Sequence, residues 1–324
     1  MQNLVTVFGG SGFIGAHAVR QLAKAGWRVR VAVRNPSLAY KMRLMGDVGQ
    51  IDVVQANVRN MASLERALAG ATATLNLVGV LYETGRQGFQ AVHAMGARNI
   101  AEAARTMGVL RLVQMSALGA DPDSPSKYAR SKADAEAAVR DVYPDATIVR
   151  PSVVFGPEDG FFNKFAAMAQ ISPALPLVGG GHTRFQPVFV GDVARALAQI
   201  VTRDDTAGRT YELGGAGVFS FRELMELMLA ETGRRRILLP LPFPVARLMG
   251  TVAGWGAFLV PPPITADQVE LLKTDNVVSG RYPGLADLGV TATSLQAILP
   301  TYLYTFRRGG QYADQEARVQ AARG

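Results

Sequence analysis

Short runs of apolar and β-branched residues alternate with segments of helical periodicity through the first 150 residues. Several runs are apolar at consecutive positions, as expected for strands that have helices on both faces of the sheet. This alternation predicts βαβ units around a parallel sheet. The predicted strands are residues 4–8, 28–33, 52–55, 73–77, 110–115 and 147–149. The predicted helices are residues 14–25, 61–69, 89–108 and 128–141.

The pattern changes after Arg150, where glycines and prolines cluster at residues 151–160 and 173–181. Two further helices are expected to begin near Gly191 and Phe221. The fold class is therefore predicted to be α/β, a Rossmann-like doubly wound parallel sheet with a smaller C-terminal α/β lobe. The predicted domains are 1–150 for the dinucleotide-binding part, 151–308 for the smaller lobe and 309–324 for a polar tail.

The most apolar stretch of the chain is "ILLPLPFPVARLMGTVAGWGAFLVPPPI", residues 237–264. Prolines and Arg247 divide it, and the part from Val245 to Val260 is too short for an ordinary membrane-spanning helix. We therefore expect a buried helix under a proline-rich loop, with an exposed apolar patch as the alternative.

The composition excludes several classes of function. With 48% hydrophobic and 19% charged residues the chain is expected to fold, and with no cysteine it cannot use disulfides, thiolate ligation or a cysteine nucleophile. Any redox role must therefore depend on a bound organic cofactor. The net charge is +8, but the basic residues are scattered except for Arg234–Arg236, and no recognition motif is present. We therefore expect a solvated or partner-facing charge and no nucleic acid as a partner. The first strand begins close to Met1, and we expect no signal peptide and a bacterial cytoplasmic location.

The segment "TVFGGSGFIG" places three glycines between the first strand and the first helix. Gly9 permits a tight turn, Gly12 allows the backbone to approach a pyrophosphate, and Gly15 allows the helix to pack closely on the sheet. Free amides at the helix start favour the phosphate charge. Within this loop the expected cofactor contacts are Gly9, Ser11, Gly12, Phe13, Ile14 and Gly15.

The residue after the second strand indicates which dinucleotide is bound. An acidic residue there would bind the ribose of NAD, whereas this chain has Arg34, whose guanidinium suits a phosphate. NADP(H) is therefore predicted, and the alternative is an exposed arginine with no ligand. Asn57 and Val58 follow the third strand, and Val78 and Gly79 follow the fourth, so all four are candidate cofactor contacts.

Tyr128 and Lys132 are four residues apart and share one face of a predicted helix. An ammonium beside a phenol makes it a usable proton donor, and Ser116 after the fifth strand completes a candidate set. Only 12 positions separate Ser116 from Tyr128, so their geometry stays open. The histidines at 17, 93 and 182 have no metal-ligand spacing, and we predict ordinary surface or loop histidines and no metal site.

The glycine loop, the Tyr128/Lys132 pair, Ser116 and "RPSVVFGPED" resemble the extended or atypical branch of the short-chain dehydrogenase/reductase superfamily. The resemblance implies that the tyrosine acts as acid/base, that the lysine lowers its pKa and holds the nicotinamide ribose, and that the serine polarises a carbonyl. It also places Pro151 and Val153 beside the nicotinamide.

The blocks "MRLMGDVGQ", "GPEDGFFNKFAAM", "RFQPVFVGDVARAL" and "YPGLADLGVTATSLQ" are more specific, and they resemble the family of NADPH-binding accessory subunits of respiratory complex I. This resemblance implies a structural NADPH, no catalytic residue, and other complex I subunits as partners. It also implies a peripheral position near the quinone region, on the cytoplasmic side of the bacterial inner membrane, without a transmembrane helix. The alternative is a free-standing NADPH-dependent reductase or sugar-nucleotide epimerase that uses Ser116, Tyr128 and Lys132. A sensor of the NADPH pool would have the same sequence features.

Overall fold

The computed structural model describes residues 3–85, 87–255 and 265–310. Its strands are β1 (Leu4–Phe8), β2 (Arg28–Val33), β3 (Ile51–Gln55), β4 (Ala73–Asn76), β5 (Arg111–Met115), β6 (Thr147–Pro151), β7 (Val154–Phe155), β8 (Ala174–Val178), β9 (Arg184–Phe185), β10 (Val188–Phe189), β11 (Thr210–Leu213), β12 (Phe219–Ser220) and β13 (Ile237–Leu241). Its helices are α1 (Phe13–Lys24), α2 (Met61–Leu68), α3 (Met95–Thr106), α4 (Lys127–Val142), α5 (Phe162–Ile171), α6 (Val190–Thr202), α7 (Phe221–Glu231), α8 (Phe243–Trp255), α9 (Ala266–Leu271), α10 (Leu295–Ile298) and α11 (Pro300–Leu303). Short 3-10 helices occupy Pro36–Met45, Gly179–Gly181, Asp204–Thr206, Ala286–Leu288 and Tyr304–Phe306, and a π-helix occupies Gln90–Ala94.

Seven parallel strands form the main sheet, in the order β11-β6-β5-β4-β1-β2-β3. The strand order reverses between β1 and β4, which opens a crevice at the carboxyl ends of these strands. The predicted fold class is confirmed. The six strands predicted in the first 150 residues are all present in the main sheet, with ends that differ by two residues or fewer.

Helices cover both faces of this sheet because the central strands are apolar on both sides. On one face α1 packs on β1, and α6 packs on α1 and β5, with Val7 and Leu22 fully buried. On the other face α2, α3 and α4 form a second core that includes Phe8, Ile100 and Val139. The sheet is therefore the rigid layer from which the loops at its carboxyl edge extend.

The C-terminal lobe has a separate core of aromatic and aliphatic side chains from α5, α7 and α11. Phe155, Phe162 and Phe221 are buried in it, and the Tyr302 hydroxyl donates to Asp159 at 2.6 Å. The division of the chain at residue 150 stays a prediction. The later elements α6 and β11 lie with the main sheet, so the chain returns to it after the second glycine-rich and proline-rich segment, residues 173–181.

Two details of the predicted elements are wrong. The predicted helix 89–108 begins with the π-helix Gln90–Ala94, and the regular helix α3 starts only at Met95. A helix does form in the apolar stretch, as α8, and of residues 243–249, whose side chains are described, only Ala246 is buried. Exposed apolar residues lie along β13 and the start of α8, and we call these residues the outer face: Ile237, Leu239, Val245, Leu248 and Met249. Residues 256–264 of this stretch and residues 311–324 of the predicted tail lie outside the described residues.

In the described part of the chain, no helix combines the length and apolarity needed to cross a lipid bilayer.

Candidate functional site

The structure brings the predicted site residues to one edge of the main sheet. Each follows the carboxyl end of a strand, because parallel strands end at the same edge. The glycine loop follows β1 and Arg34 follows β2. The other predicted residues beyond strand ends are Asn57 and Val58 after β3, Val78 and Gly79 after β4, Ser116 after β5, and Pro151 and Val153 at the end of β6.

The glycine loop is closely packed, and its conformation excludes side chains at two positions. Gly9 has φ +75°, and a Cβ there would lie 3.1 Å from the Leu77 backbone that follows β4. A Cβ at Gly15 would lie 2.3 Å from the Gly9 carbonyl oxygen. Because α1 starts directly after Gly12, which is exposed together with Ser11, its free amide groups face the end of the crevice. This loop fits a bound phosphate group.

Arg34 is exposed directly after β2, and no acidic residue precedes the 3-10 helix that follows it. Asn57 is also exposed at the neighbouring strand end, and its side-chain oxygen accepts from the Arg59 amide at 3.0 Å. The Asn99 side chain donates to the Val58 carbonyl at 2.8 Å and so fixes this loop on α3. The edge beyond β2 and β3 is thus open and basic.

Tyr128 and Lys132 lie in the first two turns of α4. Ser126 caps this helix, and its Oγ accepts from the Ala129 amide. The Lys132 Nζ lies 5.6 Å from the centre of the Tyr128 ring. Ser116 is buried after β5, and its Oγ has no hydrogen-bond partner among the described residues. Since a buried hydroxyl without a partner is rare, Ser116 Oγ fits a contact with a bound molecule.

Burial shifts the pKa values of both Tyr128 and Lys132. It lowers the pKa of the Lys132 ammonium to about 8, although the Glu136 carboxylate opposes this effect. Burial also raises the pKa of the Tyr128 phenol to about 12. Desolvation of the phenol is the cause of this rise, and the effect of the neighbouring ammonium on the tyrosine pKa stays a prediction.

His93 was predicted to be an ordinary surface or loop histidine, and this prediction is wrong. Its side chain is buried in the π-helix, stacks on Phe89 at 5.4 Å and meets the Tyr128 ring edge-on at 5.7 Å. Burial and then Lys132 lower the pKa of His93 to about 3, so the ring is neutral at pH 7. The sequence held one signal: Phe89 and His93 are four residues apart in a predicted helix and share a face.

Hydrogen bonds fix the tautomer of His93 and connect it to Tyr128. The Val80 amide donates to Nε2 at 3.0 Å, so Nδ1 carries the ring proton and donates to Ser131 Oγ at 2.8 Å. Ser131 Oγ in turn donates to the Tyr128 carbonyl oxygen at 2.7 Å. A Cβ at Gly79 would lie 3.4 Å from Lys132 Nζ and 3.5 Å from His93 Nε2, so this loop contacts both side chains.

A buried ion pair continues the same face of α4. Glu136, one turn after Lys132, accepts two hydrogen bonds from the Arg150 guanidinium at 2.8 and 2.6 Å. These bonds raise the pKa of Arg150. The Tyr282 ring from the C-terminal segment lies 5.2 Å from the same guanidinium. Sequence reasoning missed this pair, since nothing in the local pattern connects β6 with α4.

These features together suit a dinucleotide. The glycine loop keeps this close backbone packing only because Gly9 and Gly15 have no side chain. A loop of this kind between a strand and a helix is typical of pyrophosphate sites. Lys132 is buried, and no described residue forms an ion pair with it, so its ammonium has capacity for ligand hydroxyls. The Ser116 hydroxyl is similarly unpartnered among the described residues. The residue types are right for a nicotinamide dinucleotide that lies across the crevice.

The model of the NAD dependent epimerase/dehydratase family matches residues 5–214. The chain therefore belongs to this family, which agrees with the parallel sheet and the glycine loop. The fold is also similar to that of an NADPH-dependent quinone oxidoreductase from Escherichia coli, whose structure is complexed with NADPH. That structure has a TM-score of 0.72 at 22% identity and covers 92% of this chain and 98% of its own.

Curated relatives define the family more narrowly. The NADH dehydrogenase (ubiquinone) 1 alpha subcomplex subunit 9 of Arabidopsis thaliana is 37% identical over 95% of this chain and 79% of its own length. The chain belongs to the family of these complex I subunits, and the resemblance found in the sequence is confirmed. A ceramide reductase of Caulobacter vibrioides is 32% identical over 85% of this chain and 86% of its own length.

Proposed function

We propose that this chain is a non-catalytic accessory subunit of a proton-translocating NADH:quinone oxidoreductase. One observation carries the proposal: similarity to complex I subunit 9 covers 95% of the chain, and so extends through the C-terminal lobe as well as the nucleotide fold. A shared fold alone would not favour one function, because this fold serves many. In this role the chain supports assembly and stability of the complex near its quinone region.

NADPH is the proposed ligand. The contacts are those predicted from the sequence: Gly9, Ser11, Gly12, Phe13, Ile14, Gly15, Arg34, Asn57, Val58, Val78, Gly79, Ser116, Tyr128, Lys132, Pro151 and Val153. Arg34 supports the choice of NADPH over NADH, because a guanidinium at the end of β2 suits a ribose phosphate. A ligand at about 100 times its dissociation constant stabilises the folded state by about 2.7 kcal/mol. Bound NADPH would therefore act as a structural element.

The protonation of Tyr128 supports a structural role. A proton donor works best when its pKa is near the working pH, whereas burial raises the pKa of this phenol to about 12. Its backbone is also held firmly by the chain of hydrogen bonds through Ser131 and His93. Tyr128 therefore serves as a wall of the nicotinamide pocket, while Lys132 holds the ribose.

The outer face is the proposed contact with other subunits of the complex. Ile237, Leu248 and Met249 are each more than half exposed, and several exposed apolar side chains within one short stretch favour a protein interface. Arg235 and Arg247 are exposed along the same stretch, so the surface suits a partner with apolar and acidic groups. The location that follows is peripheral, on the cytoplasmic side of the bacterial inner membrane, within complex I.

A second candidate function is a free-standing NADPH-dependent reductase. The ceramide reductase similarity and the assembled Ser116, Tyr128 and Lys132 side chains favour it. In this function the bound cofactor supplies a hydride to a carbonyl carbon. Tyr128 then donates its hydroxyl proton to the carbonyl oxygen, and Ser116 holds that oxygen by a hydrogen bond.

The variant Tyr128→Phe separates the two candidates. It removes the hydroxyl and keeps the ring, so an accessory subunit should retain NADPH content, complex assembly and NADH:quinone activity in the native host. A reductase should instead lose turnover by a factor of about 100 or more with NADPH affinity largely kept. Native gels, bound-nucleotide analysis and carbonyl-reduction assays on the purified chain measure these outcomes. If the chain never co-purifies with the complex, the accessory role is wrong.

A further inference from the structure

The helix that carries Tyr128 and Lys132 is capped by a carboxylate from the opposite lobe. Asp267 Oδ1 accepts from the Lys127 amide at 2.7 Å, and Oδ2 accepts from the Tyr128 amide at 3.1 Å. The Ser126 hydroxyl also donates to Oδ2, at 2.9 Å. Asp267 thus satisfies two first-turn amides of α4 that have no partner within the helix.

This contact is long-range and electrostatically favourable. Asp267 is 139 positions from Tyr128 and lies in the first turn of α9. A negative side chain at a helix N-terminus is stabilised by the partial positive charge of the free amides. Ser126 caps only the third amide of the turn, that of Ala129. Without Asp267 the amides of Lys127 and Tyr128 would lose their acceptors.

Tyr128 is consequently fixed at both of its peptide groups. Asp267 holds its amide, and the hydrogen bonds that run through Ser131 to His93 hold its carbonyl. Lys132 is one turn further along the same helix. The position of the first turn of α4 therefore decides where the tyrosine ring and the lysine ammonium lie relative to the crevice.

The helix α9 is also attached to α8, which carries part of the outer face. Ala246 of α8 and Val269 of α9 are fully buried, and they form a small hydrophobic core with Val178. Arg247 of α8 lies 3.6 Å from Glu270 of α9. The other side of α8 exposes Leu248 and Met249. A partner that contacts the outer face would thus hold α8, α9 and Asp267 in place together.

We propose that Asp267 is a positioning residue for the dinucleotide site and couples that site to the outer face. The proposal rests on the proposed function in one respect, that NADPH is the ligand of the crevice. Because coupling between two sites is reciprocal, bound NADPH stabilises α9 and a partner on α8 strengthens NADPH binding. The pathway is α8, α9, Asp267 and the first turn of α4.

Two variants test the positioning role with NADPH as the probe, by fluorescence titration of the purified chain. Loss of a helix cap typically corresponds to about a tenfold change in an equilibrium constant, so Asp267→Ala should raise the dissociation constant about tenfold. Asp267→Asn keeps the size and one oxygen acceptor and should give a smaller rise. If Asp267→Ala does not fold, the NADPH dissociation constant of Asp267→Asn alone tests the positioning role.

The matched control is Ser220→Ala, which removes the cap of α7 in the C-terminal lobe. Like the Asp267 variants, Ser220→Ala should lower thermal stability, but it should leave the NADPH dissociation constant unchanged. Equal dissociation constants for the wild type and both Asp267 variants overturn the positioning role. A wild-type chain that binds no NADPH overturns the proposed function, and this proposal with it.

Hydrogen exchange tests the coupling itself. In the wild-type chain, NADPH should slow amide exchange in α9, at residues 266–271, as well as in the first turn of α4. In Asp267→Ala saturated with NADPH, the protection of α9 should disappear while that of the glycine loop remains. Protection of α9 that is the same in both proteins overturns the coupling.

Discussion

The carboxyl edge of the main sheet and the outer face of the C-terminal lobe are built in opposite ways. At the edge, glycines bring backbone close to backbone, and the polar side chains of His93, Lys132 and Glu136 are buried. On the outer face, apolar side chains such as Leu248 are exposed, prolines interrupt the chain, and Arg247 is one of few charges.

The difference corresponds to two kinds of ligand. A small charged molecule needs preformed polar contacts, and the desolvation of those groups must be offset by precise hydrogen bonds. A protein partner needs apolar area that becomes buried on association. Binding and docking should therefore respond to different substitutions, and the connection through Asp267 is the one place where they should respond together.

The largest effect is expected at Gly15. A Cβ there would meet the Gly9 oxygen at 2.3 Å and the Gly10 backbone at 2.7 Å, so Gly15→Ala must displace the loop from α1. We expect no measurable NADPH binding and a loss of about 3 kcal/mol in the free energy of unfolding. Titration and urea denaturation measure both.

Gly160→Ala is the control, because a Cβ there meets no atom within 4 Å and the glycine has no positive φ. It should change neither NADPH affinity nor stability measurably. A Gly15→Ala chain that binds NADPH normally would contradict the pyrophosphate role of the loop.

On the outer face, Leu248→Glu should weaken association with a complex that lacks this subunit by about 2 kcal/mol, close to thirtyfold. The reason is that a charge replaces an apolar side chain in the contact. Its NADPH dissociation constant should stay within about twofold of wild type. Ile171→Glu is the matched control, since Ile171 is 88% exposed on α5 and outside the outer face. Equal association of both variants would place the contact elsewhere.

Lys132→Met should separate stability from binding. Because burial depresses the pKa of Lys132 to about 8, the charged form costs folding energy at every pH below that value. The cost fades as pH rises from about 8 towards 10.5, where the unfolded chain also loses the proton. We expect Lys132→Met to unfold at higher urea at pH 7, by about 2 kcal/mol, and to bind NADPH about tenfold more weakly. Stability that falls on substitution would contradict the burial penalty.

The smallest effect is a pH dependence of binding. In the proposed role the protonated lysine would donate to the ribose, so NADPH affinity should be constant below about pH 8 and decrease above it, by at most tenfold per pH unit. Lys132→Arg keeps its charge over this range, and its profile should be flat. A wild-type profile that is flat to pH 9.5 would show that the proton on Lys132 is not needed.

Local signals predicted much of the fold and part of the site. Apolar runs predicted the strands because a sheet covered on both faces requires them, and strand ends placed the site residues at one edge. The prediction for His93 failed because its burial comes from the packing of the π-helix against α4, which periodicity does not report. The buried-helix prediction is wrong for most of residues 245–249, because hydrophobicity predicts burial only when another surface of the same chain covers the helix. Its remainder lies outside the described side chains.

The sequence by itself determined the α/β class, the glycine loop, the arginine after β2 and the family, since each depends on residues close together in the chain. Only the tertiary structure decided how the site is held. The bonds from Asp267 to α4 and the hydrogen bonds that connect His93 through Ser131 to Tyr128 join elements far apart in sequence. The pair between Glu136 and Arg150 joins two consecutive elements, but only their packing brings the two side chains together. Their reason is geometric: each partner satisfies a polar group whose position is set only after the sheet, the helices and the C-terminal lobe have packed together.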